Sequence, residues 1–283
     1  MSSTAPTALI AGASRTLGLG LAAEYARRGW HVVGTVRGDT RTGLHDLADA
    51  SDGRVTVEQL DINEPEQINA LRDRLAGHSL DLLFVNAGIT RGDLSIADVP
   101  TDMFTDVMVT NALSPMRVVE VLRPLVVADG TIGVMSSRQG SLAHNIRDGQ
   151  DAYRASKSAL NQLMRSYAAR YADAAHSLLL MCPGHVRTEL GGPGAPLTVN
   201  QLVPGIADMI DRHRGEPGLK YLDYQDHTWW FLGACPYRTT RRPGRGRGQG
   251  PRACPTGARS LLGSRRCAVL RAARRTGGRD GRR

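Results

Sequence analysis

Tyr153 and Lys157 carry a phenol and an ammonium group four residues apart, a spacing that puts both on one face of a helix. The pKa of tyrosine is about 10 in water, so a phenol that exchanges protons at neutral pH needs positive charge beside it. Lys157 can supply that charge. Because this spacing is also common on ordinary helix surfaces, the chemistry of the pair depends on which other groups converge on it.

The hydroxyl of Ser137 is the group that we expect to complete the site. Ser137 follows a short apolar run, Thr131–Met135, which is typical of a buried strand. The carboxyl ends of parallel strands face the crevice in which ligands bind. Ser136 is a less favoured alternative, and Ser141 ranks third.

Two amides are expected at the same edge of the sheet. Asn86-Ala87-Gly88 follows the predicted strand Leu80–Val85, again at a carboxyl end. Asn111 follows Val107–Thr110 and heads a long apolar helix, where its alternative role is that of an N-cap. Hydroxyl, phenol, ammonium and amide groups are therefore predicted to meet at one edge of one sheet.

A glycine-rich turn lies near the amino terminus, between a predicted buried strand (Ala8–Ala11) and an amphipathic helix (Gly18–Arg28). The residues of this turn are Gly12, Ser14, Arg15, Thr16, Leu17 and Gly18, with Ala13 between them. Glycines let the backbone approach a pyrophosphate, and a helix N-terminus offers unpaired N–H groups and a favourable dipole. Glycine turns are common, so the prediction of a dinucleotide site depends on this strand–turn–helix context.

The end of the second predicted strand favours NADP(H) over NAD. NAD-dependent enzymes usually place a carboxylate there for the ribose 2′-hydroxyl, whereas this strand ends at Arg37. The Arg37 guanidinium suits a phosphate, and Arg15 in the glycine turn can approach the same position. Asp39, two residues farther along, is the rival signal for NAD. Each arginine, taken alone, is equally compatible with a solvated surface position.

The elements that must position these groups alternate along the chain. Short apolar runs predict strands, and amphipathic stretches predict helices at Gly18–Arg28, Glu64–Ala76, Asn111–Val127 and Ala152–Tyr171. The predicted strands are Ala8–Ala11, His31–Val36, Val55–Leu60, Leu80–Val85, Thr131–Met135, Ser177–Cys182 and Leu219–Leu222. This alternation predicts an α/β fold with a single Rossmann-type, doubly wound parallel sheet of about seven strands flanked by helices.

Charge divides the chain into two parts. Residues 1–232 carry 21 Lys and Arg against 26 Asp and Glu, and residues 233–283 carry 15 Arg against one acid, Asp280. We predict a dinucleotide-binding domain at 1–232 and a disordered tail rich in Arg, Gly and Pro at 233–283. The tail has one aromatic residue, Tyr237, so nucleic-acid binding through it is expected to be non-specific. A second reading is that the tail is a read-through or frameshifted segment without function.

No apolar run approaches the length of about 20 residues that a membrane helix needs. The amino terminus has no basic leader, which predicts a cytoplasmic location. The four cysteines have no metal-ligand spacing, so neither a metal site nor a disulfide framework is expected.

Over roughly Thr7–Trp230 these ordered motifs resemble the short-chain dehydrogenase/reductase family, and within it the carbonyl-reductase-like branch that includes sniffer and C-factor proteins. The resemblance implies catalytic roles for Asn111, Ser137, Tyr153 and Lys157. It implies cofactor contacts from the glycine turn, Arg37, Asp61, Ile62, Asn86, Ala87, Gly88, Tyr153, Lys157, Pro183, Gly184, Val186 and Thr188. Three departures from the family pattern are Thr16 for the middle glycine, Ala11 for a threonine and Val85 for an asparagine.

The resemblance implies hydride transfer between NADP(H) and a small carbonyl or alcohol substrate. Tyr153 would act as general acid or base, Ser137 would orient the carbonyl, and Lys157 would bind the nicotinamide ribose and lower the tyrosine pKa. Asn111 would anchor a water that relays protons. Assembly as a homodimer or homotetramer through the two long predicted helices is also implied.

The alternatives are a catalytically idle NADP-binding regulatory protein and a nucleic-acid-associated protein that binds through its basic tail. The substrate pocket would be shaped by the loops 141–150 and 185–198. The sequence does not identify the substrate.

Overall fold

The computed structural model describes residues 5–229 and 231. Seven parallel strands form one sheet in the order β3-β2-β1-β4-β5-β6-β7. Their bounds are Thr7–Ala11 (β1), His31–Val36 (β2), Val55–Gln59 (β3), Leu80–Val85 (β4), Val126–Met135 (β5), Ser177–Cys182 (β6) and Gly218–Asp223 (β7). The predicted doubly wound parallel sheet is confirmed. The predicted tail at 233–283 lies outside the described residues.

Helices cover both faces of the sheet, which is why its central strands are mostly apolar. Along β1, Leu9 and Ala11 pack into one core while Ala8 and Ile10 pack into the other. The helices are α1 (Thr16–Arg27), α2 (Gly43–Ala50), α3 (Pro65–Arg74), α4 (Thr101–Met108), α5 (Ser114–Leu122), α6 (Asp151–Arg170) and α7 (Val199–Arg212). Side chains of α3, α5 and α6 fill the first core, and side chains of α1, α2 and α7 fill the second.

The predicted helix Asn111–Val127 contains α5, but both of its predicted bounds are wrong. Helical structure already begins at α4, and Asn111 lies inside a π-helical turn, Val109–Leu113, that joins α4 to α5. After α5, a short 3-10 turn that contains Pro124 leads into β5, whose Val126 pairs with Leu80 of β4. Pro124 cannot continue the helix. The apolar residues Val126 and Val127, which begin β5 before its register shift, resemble the end of a helix in the sequence.

The strand order creates the crevice in which a ligand can bind. The chain builds β1, β2 and β3 outward in one direction and then returns to place β4 on the other side of β1. The connections therefore diverge between β1 and β4, and their carboxyl ends open into a gap at this switch point. In the part of the chain that the structure describes, no helix is long and apolar enough to cross a membrane.

Candidate active site

A cleft of about 1820 Å³ runs along the carboxyl ends of the strands. Every residue that the sequence singled out for catalysis or cofactor binding lines this cleft, except Gly18 and Asn111, which are buried behind its wall. The nine that follow strands β3, β4 and β6 are Asp61, Ile62, Asn86, Ala87, Gly88, Pro183, Gly184, Val186 and Thr188. The strand ends thus bring together residues that are distant in sequence.

The turn after β1 is held in place by side chains from two neighbouring strands. Gly12 has a φ of +85°, and a Cβ there would lie 2.9 Å from Ala87. Its N–H donates to the Thr35 hydroxyl at 2.9 Å, and its carbonyl accepts from the Asn86 amide at 2.8 Å. Only glycine combines this conformation with so close an approach. Sequence reasoning missed Thr35, whose role depends on pairing between strands.

Gly18 allows helix α1 to start directly against this turn. A Cβ on Gly18 would lie 2.0 Å from the Gly12 carbonyl oxygen and 2.7 Å from the Asn86 amide nitrogen. The N-cap residue of α1, Arg15, provides no side-chain cap, and no acidic residue occupies the first turn of the helix. The first N–H groups and the positive end of the helix dipole are therefore available to a phosphate.

Thr16 lies in the left-handed region of backbone space, with a φ of +48°. This conformation costs a β-branched residue free energy that glycine does not lose. Thr16 is the position at which the sequence departs from the glycine of the family pattern. The departure is tolerated because the side chain is exposed at the cleft rim.

The two arginines expected at a 2′-phosphate have different surroundings. Arg37 is exposed at the end of β2 and has no carboxylate within ion-pair distance among the described residues. Arg15 instead pairs with Glu189, from the loop after β6, at 3.0 Å. Asp39, the rival signal for NAD, accepts a hydrogen bond from Gln59 at 3.0 Å. The arrangement leaves Arg37 as the unpaired cation at the end of β2.

Tyr153 and Ser137 meet inside the cleft. Tyr153 lies in the first turn of α6 and is only 8% exposed, and the Ser137 side chain interacts with it in a way that lowers its pKa against the effect of burial. The two alternative serines are engaged elsewhere. Ser136 donates to Asn161 at 2.6 Å, and the Ser141 hydroxyl lies 2.9 Å from a ring nitrogen of His144. The geometry therefore favours Ser137 as the partner of Tyr153.

Burial shifts both members of the Tyr–Lys pair toward their neutral forms. It raises the pKa of Tyr153 to about 12, although the hydrogen bond with Ser137 opposes the shift. It lowers the pKa of Lys157 to about 8. The resemblance implied that Lys157 lowers the pKa of the tyrosine, but burial has the larger effect in this structure. The Lys157 nitrogen lies 5.8 Å from the centre of the Tyr153 ring.

Lys157 is fixed by the backbone on the floor of the cleft. It is 3% exposed, and its ammonium donates to the carbonyl of Met135 at the end of β5, at 2.9 Å. Gly88 lies beside it, since a Cβ there would be 3.4 Å from the Lys157 nitrogen and 3.2 Å from the Asn111 side-chain oxygen. The ammonium group is therefore held in a narrow space that glycine keeps open.

The Asn111 side chain connects the π-helical turn between α4 and α5 to the loop after β4. Its side chain accepts from the N–H of Ile89 and donates to the Ile89 carbonyl, both at 2.8 Å. It also donates to the Ser156 hydroxyl at 3.0 Å. Asn111 is fully buried and is not the N-cap that was its alternative role. Its position in the π-helical turn aims the amide at this loop instead of along a regular helix face.

Residues near the carboxyl end of the described chain complete the cleft wall. The hydroxyl of Tyr221, in β7, donates to the backbone carbonyl of Ser137. The ring of Trp229 lies beneath the guanidinium of Arg138 at 5.6 Å and meets the His144 ring edge-on at 4.7 Å. Sequence reasoning missed these contacts because no local pattern connects the residues involved.

Comparisons with known proteins find similar chains among the short-chain dehydrogenases. A family model described as short chain dehydrogenase matches residues 6–195. The crystal structure of a short-chain dehydrogenase/reductase from Burkholderia multivorans with bound NADP is 55% identical, with a TM-score of 0.78, and the match covers 80% of this chain and 99% of that one. A carbonyl reductase from Pseudomonas aeruginosa PAO1 in complex with NADP is 33% identical, with a TM-score of 0.74 and coverages of 80% and 99%. The 1-hydroxy-2-glutathionyl-2-methyl-3-butene dehydrogenase of Rhodococcus sp. (strain AD45) is 30% identical over 212 residues, 72% of this chain and 90% of the relative.

Proposed function

Because this chain belongs to the short chain dehydrogenase family of oxidoreductases, we propose that it uses NADP(H) to reduce a ketone or aldehyde to an alcohol. The observation that carries the proposal is the placement of Tyr153, Ser137 and Lys157 in one cleft, with the Lys157 nitrogen 5.8 Å from the centre of the Tyr153 ring. These groups line the same cleft as the glycine turn after β1.

The cleft fits a nicotinamide dinucleotide at the end that contains the glycine turn. Gly12 and Gly18 leave a space that side chains would fill, and the start of α1 offers N–H groups to a pyrophosphate. When bound, the cofactor supplies the hydride. The residues that would hold its two halves include Asp61 and Asn86 on one side and Gly184 and Thr188 on the other.

Arg37 supports NADP(H) over NAD(H). An exposed guanidinium without a carboxylate partner suits a dianionic phosphate, and no acidic side chain occupies the usual ribose-binding position at the end of β2. Two similar structures, from Burkholderia multivorans and Pseudomonas aeruginosa, contain NADP. These similarities support the same choice of cofactor in this protein.

Tyr153 would donate the proton that converts a reduced carbonyl into an alcohol. With a pKa of about 12, its phenol is protonated at neutral pH, so the group is ready to act as an acid but needs alkaline conditions to act as a base. The Ser137 hydroxyl, held beside the phenol, would hydrogen-bond the same carbonyl oxygen and orient it. The phenol is thus held in the protonated form that the reduction step requires.

Lys157 and Asn111, which are buried on the inner side of the cleft, would support this proton transfer. With a pKa of about 8, Lys157 is mostly protonated at neutral pH and places positive charge on the cleft floor. That charge would stabilise a phenolate when Tyr153 has given up its proton. Asn111 binds both backbone groups of Ile89 and would act as a positioning residue for Lys157. It would also anchor a water molecule that relays protons to Lys157.

The helices predicted to pair across a dimer also present an apolar surface. Leu113 and Leu163 are about two-fifths exposed, at 40% and 39%, and border a shallow apolar depression lined also by Met108 and Ala112. Pairing through this surface would support the expected homodimer or homotetramer. Light scattering coupled to size-exclusion chromatography measures that state, and Leu163→Glu should lower the measured mass if the surface is the interface.

Replacement of the phenol tests the proposal. Tyr153→Phe should bind NADPH with unchanged affinity, measured by the change in NADPH fluorescence, and should lose turnover on a panel of ketones, aldehydes and quinones. Tyr171→Phe is a matched control, because Tyr171 ends the same helix outside the cleft and its hydroxyl donates to Glu120 at 3.0 Å. Near-wild-type reduction by Tyr153→Phe would exclude the assigned role.

A further inference from the structure

Arg138 begins the wall of the cleft directly beside the catalytic hydroxyl. It follows Ser137 in sequence, and both residues line the cleft. The backbone at this point is held from two sides, because Tyr221 donates to the Ser137 carbonyl and the Ser137 hydroxyl accepts from the Gln139 N–H at 3.2 Å. The guanidinium is therefore attached to a fixed segment, one residue from the group that would orient the substrate.

Trp229 supports the Arg138 guanidinium. The guanidinium carbon lies 5.6 Å from the centre of the indole ring, within the range of a cation–π contact. The ring is anchored by its own backbone N–H, which donates to the Tyr221 carbonyl at 2.7 Å, and by its indole N–H, which donates to Asp223 at 3.2 Å. This contact leaves the N–H groups at the edge of the guanidinium available to an acceptor.

No carboxylate within the described residues forms an ion pair with Arg138. The acids at this end of the cleft are Asp148, Glu189 and Asp223. Glu189 pairs with Arg15, and Asp223 accepts from the indole of Trp229 and from two backbone N–H groups, at 2.9 and 3.0 Å. Arg138 is exposed on the cleft wall, one residue from Ser137, and has no ion-pair partner among the described residues, which favours an anionic ligand.

Apolar side chains surround the opening of the same pocket. Ile146 lines the cleft and is 85% exposed, and Leu190 lines it from the opposite loop. Leu142 is also exposed in the loop that carries Ile146. Large apolar side chains at a cleft mouth gain free energy when a ligand covers them. The pocket therefore combines the unpaired Arg138 guanidinium with an apolar rim.

We propose that the substrate is a keto acid with an apolar body, and that Arg138 binds its carboxylate. This inference rests on the proposed function. The ketone oxygen would meet Ser137 and Tyr153 while the body lies against Ile146 and Leu190. In the reaction, a hydride from NADPH forms the new C–H bond, the carbonyl π bond breaks, and its oxygen takes the Tyr153 proton. The products are a hydroxy acid and NADP⁺, and the tyrosine regains a proton from solvent.

A matched pair of substrates separates the role of the carboxylate from reduction itself. Benzoylformate carries the carboxylate, and methyl benzoylformate has the same ketone and ring without the charge. In Arg138→Gln, kcat/KM for benzoylformate should fall by about 10- to 100-fold, mainly through KM, which is the loss expected for a charge-assisted hydrogen-bonded pair. The value for the ester should stay within about threefold, because the reacting groups are unchanged.

Arg147→Gln is the matched control, since Arg147 also lines the cleft and is exposed, but lies in the loop before α6. It should change the acid-to-ester ratio by less than about threefold, within the range of a surface charge. Equal losses on both substrates in Arg138→Gln would overturn the assignment, as would reduction by the wild type of the ester but not the acid. If the wild type reduces no carbonyl compound at all, the proposed function itself fails, and this inference fails with it.

Discussion

Lys157→Met should make the protein more stable while it disables the site. Lysine and methionine have similar lengths, and the side chain at this position is 3% exposed, so methionine can fill the space without a cavity. The substitution removes a charge from a buried position on the cleft floor. A residue whose main role is structural would lose stability when replaced, so the sign of the change is informative.

The magnitude follows from the pKa of the lysine. Burial lowers it from 10.5 to about 8, which corresponds to a destabilisation of about 3 kcal/mol at neutral pH. Against this, the Met135 carbonyl loses its charged donor at 2.9 Å, at a cost of about 1–2 kcal/mol. The variant should therefore gain about 1–2 kcal/mol, or about 2–8 °C in Tm for a domain of this size.

The pH dependence of the stability difference between Lys157→Met and the wild type provides a second test of the same prediction. The unfolded chain keeps a proton on Lys157 up to about pH 10.5, whereas the folded protein releases it near pH 8. Between these values the unfolded state binds more protons, so the wild type gains stability as the pH rises, and the advantage of Lys157→Met should shrink. Above about pH 10 the raised pKa of Tyr153 acts in the opposite direction in both proteins.

Urea denaturation at about pH 7 and about pH 9.5 measures both effects. Lys220→Met is the control, because Lys220 is the other lysine of the chain and pairs with Glu216 at 3.3 Å near the surface. The control should not gain stability, and its pH profile should follow that of the wild type. The reasoning is refuted if Lys157→Met is less stable than the wild type at neutral pH, or if its advantage does not decline between the two pH values.

Three further substitutions probe the turn, the serine and the arginine at the cofactor end. Thr16→Gly should raise the free energy of unfolding by up to about 1 kcal/mol by removing the left-handed strain, and Thr16→Ala, which keeps a Cβ, should not. Equal denaturation midpoints for the two would contradict this explanation. Tyr221→Phe should lower kcat about 10-fold with unchanged NADPH affinity, because it releases the backbone of Ser137, and an unchanged kcat would exclude that positioning role. Glu189→Gln should tighten NADPH binding by up to about fivefold by releasing Arg15, while NADH binding stays the same. Equal changes in the affinities for NADPH and NADH, measured by fluorescence titration, would show that Glu189 does not compete with the cofactor phosphate for Arg15.

The strands could be predicted from the sequence because the sheet is covered on both faces. The runs His31–Val36, Leu80–Val85 and Ser177–Cys182 are mostly apolar, and their predicted bounds match the structure. The convergence of Ser137 and Tyr153 followed from the rule that ligands bind at the carboxyl ends of parallel strands. Both inferences depend on local patterns, which a sequence displays directly.

Helix boundaries were harder to predict where the backbone departs from a regular helix. A π-helical turn around Asn111 has no periodic signature, so the sequence did not reveal that α4 and α5 run on either side of it. Helix α7 did have a detectable signal, since Thr198 and Gln201 form a capping box at its start. Pro204 inside the same helix obscured that signal.

Contacts between distant segments were not predictable at all. Arg15 and Glu189 are 174 positions apart, and Tyr221 reaches Ser137 across 84 positions. Such pairs depend on where loops return to the sheet, which composition and spacing do not specify. The burial that raises the pKa of Tyr153 was likewise not predictable, because its depth is a property of the fold and not of the helix that carries the residue.

Transfer of deuterium from [4-²H]NADPH tests the central claim most directly, because it follows the reaction and the role of Tyr153 in one experiment. The wild type, saturated with labelled NADPH, should place the label on the carbinol carbon of the product in a single turnover. Tyr153→Phe, equally saturated, should transfer it about 100- to 10,000-fold more slowly, the range expected when a general acid is lost. Transfer by Tyr153→Phe at the wild-type rate would contradict the account.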